Sequence, residues 1–117
     1  MTLVIDRPTQ AWFDVCPLDK LIPGRGVCAL VGTYQVAVFR VGPEAEVYAL
    51  SNYDPFSRAN VLSRGIVGSK GDRLKVASPI YKQGFDLQTG ECLDDPSVSV
   101  PTFDVRVASG MVQVASP

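Results

Sequence analysis

Ala77-Ser78-Pro79-Ile80-Tyr81-Lys82-Gln83-Gly84-Phe85-Asp86-Leu87-Gln88-Thr89-Gly90 is the stretch that decides the fold of this chain. It ends in a short strand, Phe85-Asp86-Leu87, followed by a turn at Gln88-Thr89-Gly90-Glu91. Just upstream, Arg73-Leu74-Lys75-Val76-Ala77 alternates polar and apolar residues, the pattern of a half-buried strand. Residues 51–72 scatter apolar groups among many turn formers. They are expected to form a long ordered loop with little regular structure, and ordered loops of that length are often functional.

Working outward, residues 27–31, 34–41 and 46–50 are apolar or β-branched runs joined by Gly32-Thr33 and Gly42-Pro43-Glu44. They read as an antiparallel meander. Trp12-Phe13-Asp14-Val15 is a first short strand, and Pro17-Leu18-Asp19-Lys20-Leu21 has room for one helical turn before Pro23-Gly24-Arg25-Gly26 breaks it. Residues 98–100 precede a proline, and Thr102-Phe103-Asp104-Val105-Arg106-Val107 alternates cleanly. Ala108-Ser109-Gly110 then turns the chain into Met111-Val112-Gln113-Val114, a terminal hairpin. Nine prolines resist long helices. Short strands separated by Gly and Pro, with no repeat and no linker, predict one all-β domain over residues 1–117, an antiparallel sandwich or barrel.

Composition excludes more than it names. Of 117 residues, 46% are hydrophobic and 20% charged, which is a globular composition. There is no histidine. That removes Ser-His-Asp and Cys-His catalysis, His-ligated zinc or haem, and any iron–sulfur centre that needs imidazole. The net charge of −1 lacks the basic surplus of a nucleic-acid binder. No apolar run is long enough to span a bilayer. Met1-Thr2-Leu3-Val4-Ile5-Asp6-Arg7-Pro8 has neither the basic nor the apolar region of a signal peptide, so a cytoplasmic location is expected.

Cys16, Cys28 and Cys92 are odd in number and widely spaced, with no C-x-x-C pair, which fits free thiols in a reducing compartment. Cys28, within Val27-Cys28-Ala29-Leu30-Val31, reads as a small buried hydrophobe, and Cys92 reads as a loop residue. Without histidine or an obvious neighbouring cation, no cysteine is expected to be catalytic. No phosphate-binding glycine motif is present, and Asp94-Asp95 reads as a turn before Pro96. Charge is nonetheless uneven. Between Ser57 and Lys82, Arg58, Arg64, Lys70, Arg73, Lys75 and Lys82 face one acid, Asp72. A basic middle with acidic ends can orient a partner.

Two blocks carry a more specific signal. The first is Ala49-Leu50-Ser51-Asn52-Tyr53-Asp54-Pro55-Phe56-Ser57, and the second is the stretch quoted at the outset. Together they resemble the two cluster-binding loops of the Rieske fold, with Phe85-Asp86-Leu87-Gln88-Thr89-Gly90 matching the segment after the second loop. In that fold the first loop carries C-x-H and the second C-x-x-H. Here Asp54 and Phe56 stand at the first pair, and Ser78 and Tyr81 at the second. A carboxylate, a hydroxyl and a phenol do not replace two thiolates and two imidazoles.

Over nearly its whole length the chain is similar to the small subunit of the assimilatory NAD(P)H-dependent nitrite reductase, a Rieske-like family that lacks these ligands. Trp12-Phe13 through Cys16, Val61-Leu62-Ser63-Arg64-Gly65-Ile66-Val67-Gly68 and Cys92-Leu93-Asp94-Asp95-Pro96 belong to the resemblance. It implies a Rieske-like antiparallel β-sandwich with no cofactor of its own and no catalytic residue. It also implies a partner, the large subunit, carrying FAD, an iron–sulfur cluster and siroheme and reducing nitrite to ammonia. The alternative is a Rieske-derived interaction module without redox activity in another assembly.

With the metal gone, the two loops must hold together by other means. Phe56 and Tyr81 are expected to pack into the space left, with Asp54 and Ser78 taking up loop N–H groups. The tip they form is a candidate docking surface. Its apolar centre would be Pro55, Phe56, Pro79, Ile80 and Tyr81, and its basic rim Arg58, Arg64 and Lys82.

Overall fold

The computed structural model describes residues 11–42 and 46–116. The expectations for residues 1–8 and for the turn centred on Pro43 and Glu44 fall outside them. The chain runs through β1 (Trp12–Pro17), a 3₁₀ turn at Leu18–Lys20, β2 (Gly26–Val31), β3 (Tyr34–Val41) and β4 (Glu46–Ser51). Next come β5 (Tyr53–Asp54), β6 (Ala59–Asn60), a 3₁₀ turn at Leu62–Arg64, β7 (Ile66–Lys70), β8 (Arg73–Ala77) and β9 (Gly84–Asp86). β10 (Val105–Ala108) and β11 (Met111–Ala115) close the chain. All the named pairings are antiparallel.

β2, β3 and β4 form the expected meander as a central sheet. Its middle strand explains the architecture. Residues 36–39 of β3 are buried without interruption, because both faces of the strand are covered. Val36 and Val38 join Ala49, Val112 and Val114 in one core, against the sheet ordered β1-β11-β10. Ala37 and Phe39 join Leu50, Val76 and Phe85 in a second core, against the sheet ordered β7-β8-β9. The all-β sandwich is therefore a base of two sheets with a third, smaller sheet laid on the other face of the central one. That third sheet carries the second tip loop, between β8 and β9, while the first lies between β5 and β6, a separate two-stranded sheet. In the terminal hairpin Ala108 pairs with Met111, leaving Ser109 and Gly110 as a two-residue loop with both φ positive, the twist that strand pairing favours.

The turn after β9 shows why Phe85-Asp86-Leu87-Gln88-Thr89-Gly90 has this composition. Phe85 is core. Asp86 Oδ1 accepts the N–H groups of Gln88 at 2.7 Å and Thr89 at 2.9 Å, and Asp86 Oδ2 accepts Arg73 Nε at 2.7 Å. Gly90 has φ +78°, and a Cβ there would run into the backbone carbonyl of Val100.

Three expectations need correction. Residues 51–72 are not one irregular loop: Ile66–Lys70 is a full strand, paired residue for residue with β8. Its Gly68-Ser69-Lys70 segment lacks the apolar signature of a strand because β7 is an edge strand whose last two residues are exposed. Cys28 is exposed, not buried, since β2 is an edge of the central sheet. Cys92 is fully buried, because the segment after Gly90 returns to bridge Phe85 and delivers the thiol to the core.

Candidate functional site

Both tip loops are built the same way. In the first, the Asp54 carbonyl accepts the N–H of Arg58 at 2.8 Å. In the second, the Ser78 carbonyl accepts the N–H of Lys82 at 3.0 Å. Each turn thus spans five residues and closes on a base in the left-handed region, Arg58 at φ 57° and Lys82 at φ 65°. Side chains other than glycine, asparagine or aspartate seldom occupy that region. Two of the three described non-glycine residues with positive φ are these bases.

The loops meet at their first residues. Ser78 Oγ donates to Asp54 Oδ2 at 2.6 Å, and both residues are buried. Asp54 Oδ2 also accepts Ser57 Oγ at 2.8 Å, while Oδ1 accepts the Phe56 N–H at 2.9 Å. Burial alone would raise the Asp54 carboxyl. The hydrogen bonds from Ser78, Phe56 and Ser57 outweigh it and hold the group below its usual range. Ser78 Oγ in turn accepts the Ile80 N–H at 3.3 Å. Beneath the first loop, buried Asn52 is the anchor. Its Oδ1 accepts the Ser63 N–H at 2.7 Å, and its Nδ2 reaches Gln35 Oε1 and Cys28 Sγ, each at 3.4 Å.

The aromatic positions part company. Phe56 packs on Phe85, with ring centroids 6.1 Å apart, and lies against the core under the third sheet. Tyr81, expected to help fill the same space, is instead 61% exposed. The tight turn from Ser78 to Lys82 satisfies its own backbone and throws the intervening side chains outward. Pro79, Ile80 and Tyr81 are all exposed, whereas Pro55 is half-buried. Arg58, Arg64 and Lys82 are exposed. Arg64, Pro79 and Lys82 line one cleft, so the structure brings these three docking candidates together.

Residues 11–115 match the family model described as the Rieske-like [2Fe-2S] domain. The NADH nitrite reductase small subunit of Salmonella typhimurium is 48% identical over 88% of this chain and 95% of its own length. The chain belongs to the nitrite reductase small-subunit family. The NMR structure of the Escherichia coli protein NirD superposes with a TM-score of 0.86 at 44% identity, covering 92% of this chain and 98% of that one. In Klebsiella oxytoca, a protein named NAD(P)H nitrite reductase large subunit is 40% identical to this chain over 93% of its residues, a stretch that makes up 11% of the larger protein.

Membership in a Rieske-like family raises the question of the cluster, and this small subunit's side chains do not fit one. Both oxygens of Asp54 are consumed by loop donors, and the Ser78 hydroxyl gives its proton to Asp54. Phe56 offers no donor atom, and Tyr81 points to solvent. A [2Fe–2S] centre requires four thiolate or imidazole ligands. Here a carboxylate–hydroxyl bond joins the two loops directly.

Two contributors went unread in the sequence. Ser57 supplies a third hydrogen bond to Asp54, and the Asp54-Pro55-Phe56-Ser57 order is the signature of an aspartate turn that could have revealed it. Lys75 lines the cleft with Arg64 and Lys82. Nothing in its spacing announces this, because strand register brings it there.

Proposed function

We propose that this chain is the non-catalytic small subunit of an NAD(P)H-dependent nitrite reductase, one Rieske-like domain that supports nitrite reduction by docking on the large subunit. FAD, iron–sulfur cluster and siroheme chemistry belong to that partner, and the complex works in the cytoplasm, where three free thiols persist. The observation that carries this reading is the Klebsiella oxytoca large subunit, part of which is 40% identical to this chain. Covalent linkage in a relative keeps two units at high effective concentration, which serves units that work together.

The tip is the docking surface in this reading. Pro79, Ile80 and Tyr81 form an exposed apolar centre, flanked by Arg58, Arg64 and Lys82. Arg58 and Lys82 occupy backbone positions that glycine would fill with less strain, which supports a role for their charge outside folding. The test is a binding titration of the full chain against the intact large subunit. The Arg58→Glu/Lys82→Glu double variant should weaken association at least about tenfold, with the loss growing at low salt. Unchanged affinity removes the tip from the interface, and no binding by the wild-type chain removes the subunit reading itself.

A further inference from the structure

Gly68 is the glycine this fold does not require. Of the ten glycines, six have positive φ, and at Gly26, Gly65 and Gly84 a Cβ would collide with neighbouring atoms. Gly68 has neither excuse. It sits inside β7, opposite Lys75, and a Cβ there would meet nothing within 4 Å. Glycine inside a strand is destabilising through lost entropy and lost packing, and it often marks a place where another molecule approaches closely. No described residue of this chain requires glycine at position 68, which leaves its open face free for another molecule.

The space above Gly68 is a cleft of about 560 Å³ on the outer face of the third sheet. Gly68 and Ala77 line it with small residues. Ile66, 75% exposed and the most exposed large apolar side chain described, stands beside them. Arg64, Lys75 and Lys82 also line the cleft, and among the described residues no acid does. None of the three bases belongs to the described salt bridges, which involve only Arg73 with Asp86 and Glu91. Asp94 Oδ2 accepts the Gly84 N–H at 2.7 Å and keeps its negative charge on the Lys75 side, without forming a described salt bridge to it. Three bases around a floor of small and apolar residues, none of them in a described salt bridge and on a chain whose net charge is −1, are complementary to an acidic partner. Lys82 belongs to both the cleft and the second tip loop, so the two surfaces are continuous.

We infer that this cleft seats an acidic segment of the large subunit, with an apolar side chain laid over Gly68 and Ala77 and carboxylates against Arg64, Lys75 and Lys82. The inference rests on the reading of this chain as a subunit that docks there. It adds a second contact that leaves the tip and runs along β7.

Gly68→Trp fills the cleft, and Gly68→Glu adds a negative charge to it. A Cβ at position 68 meets no described atom, so both variants should fold, which a thermal melt of each checks before titration. In titration against the intact large subunit, each should lose about tenfold or more in affinity, since a change of about 1.4 kcal/mol is tenfold. Arg58→Glu, which leaves the cleft untouched, serves as the control for the tip. Full affinity in both Gly68 variants while Arg58→Glu binds weakly overturns the cleft and leaves docking intact. A loss with Gly68→Trp but not with Gly68→Glu overturns the acidic occupant. If the wild-type chain fails to bind, the docking reading falls and the cleft with it.

Discussion

Ser78 Oγ and Asp54 Oδ2 lie 2.6 Å apart, and this bond joins the two tip loops at the first residue of each turn. The bond is buried and charge-assisted, the strong kind of hydrogen bond. It does for this domain what metal ligation does elsewhere in the Rieske-like fold: it fixes one loop against the other.

The pair should therefore be thermodynamically coupled. Asp54→Ala strips Ser78, Ser57 and the Phe56 N–H of their acceptor and should cost about 3 kcal/mol. Ser78→Ala should cost about 1.5 kcal/mol. A double-mutant cycle in denaturant should return a coupling of about 1–2 kcal/mol. Strict additivity would show that the loops are held by something else.

Acid should loosen the tip and the turn after β9. Asp54 and Asp86 both titrate below the usual carboxylate range in the folded chain, despite burial that pushes each the other way. For Asp86 the Thr89 and Gln88 N–H groups and the Arg73 guanidinium provide the opposing pull. The folded state then binds fewer protons than the unfolded one, so this stability is whole above about pH 4 and is lost as the pH falls through the folded values. Denaturant midpoints measured from pH 7 down to pH 2 should fall most below pH 4. Asp54→Asn should flatten part of that fall.

Backbone strain and charge can be separated at the loop ends. Arg58→Gly and Lys82→Gly remove a side chain from the left-handed region and should raise stability by up to about 1 kcal/mol. The same variants should bind the large subunit less well. A fall in both stability and affinity would assign these bases to folding instead.

Gly90 offers the opposite case. Its φ of +78° and the contact a Cβ would make with the Val100 carbonyl leave no relaxed place for a side chain. Gly90→Ala should destabilise by about 3 kcal/mol, whereas Gly68→Ala should be neutral or slightly stabilising. Equal melting temperatures for the two variants would contradict this contrast.

Cluster reconstitution should fail. Incubation of the reduced wild-type chain with ferrous iron and sulfide should leave no visible absorbance after desalting, because Asp54, Phe56, Ser78 and Tyr81 supply neither thiolate nor imidazole. A retained chromophore with stoichiometric iron would overturn the account of the tip.

Much of this was legible in the chain. Alternation, glycine turns and prolines set the antiparallel strands, since side-chain polarity along a strand records which faces are covered. The lack of histidine ruled out a Rieske-type cluster without any coordinates, because ligand chemistry is a property of residue type. Tertiary structure alone decided how the loops cohere and what they show to solvent. It set Ser78 on Asp54, residues 24 apart, turned Tyr81 outward, drew Cys92 into the core, and gathered Arg64, Lys75 and Lys82 around Gly68. Those relations depend on register and on turn closure between distant segments, and a linear pattern carries no record of either.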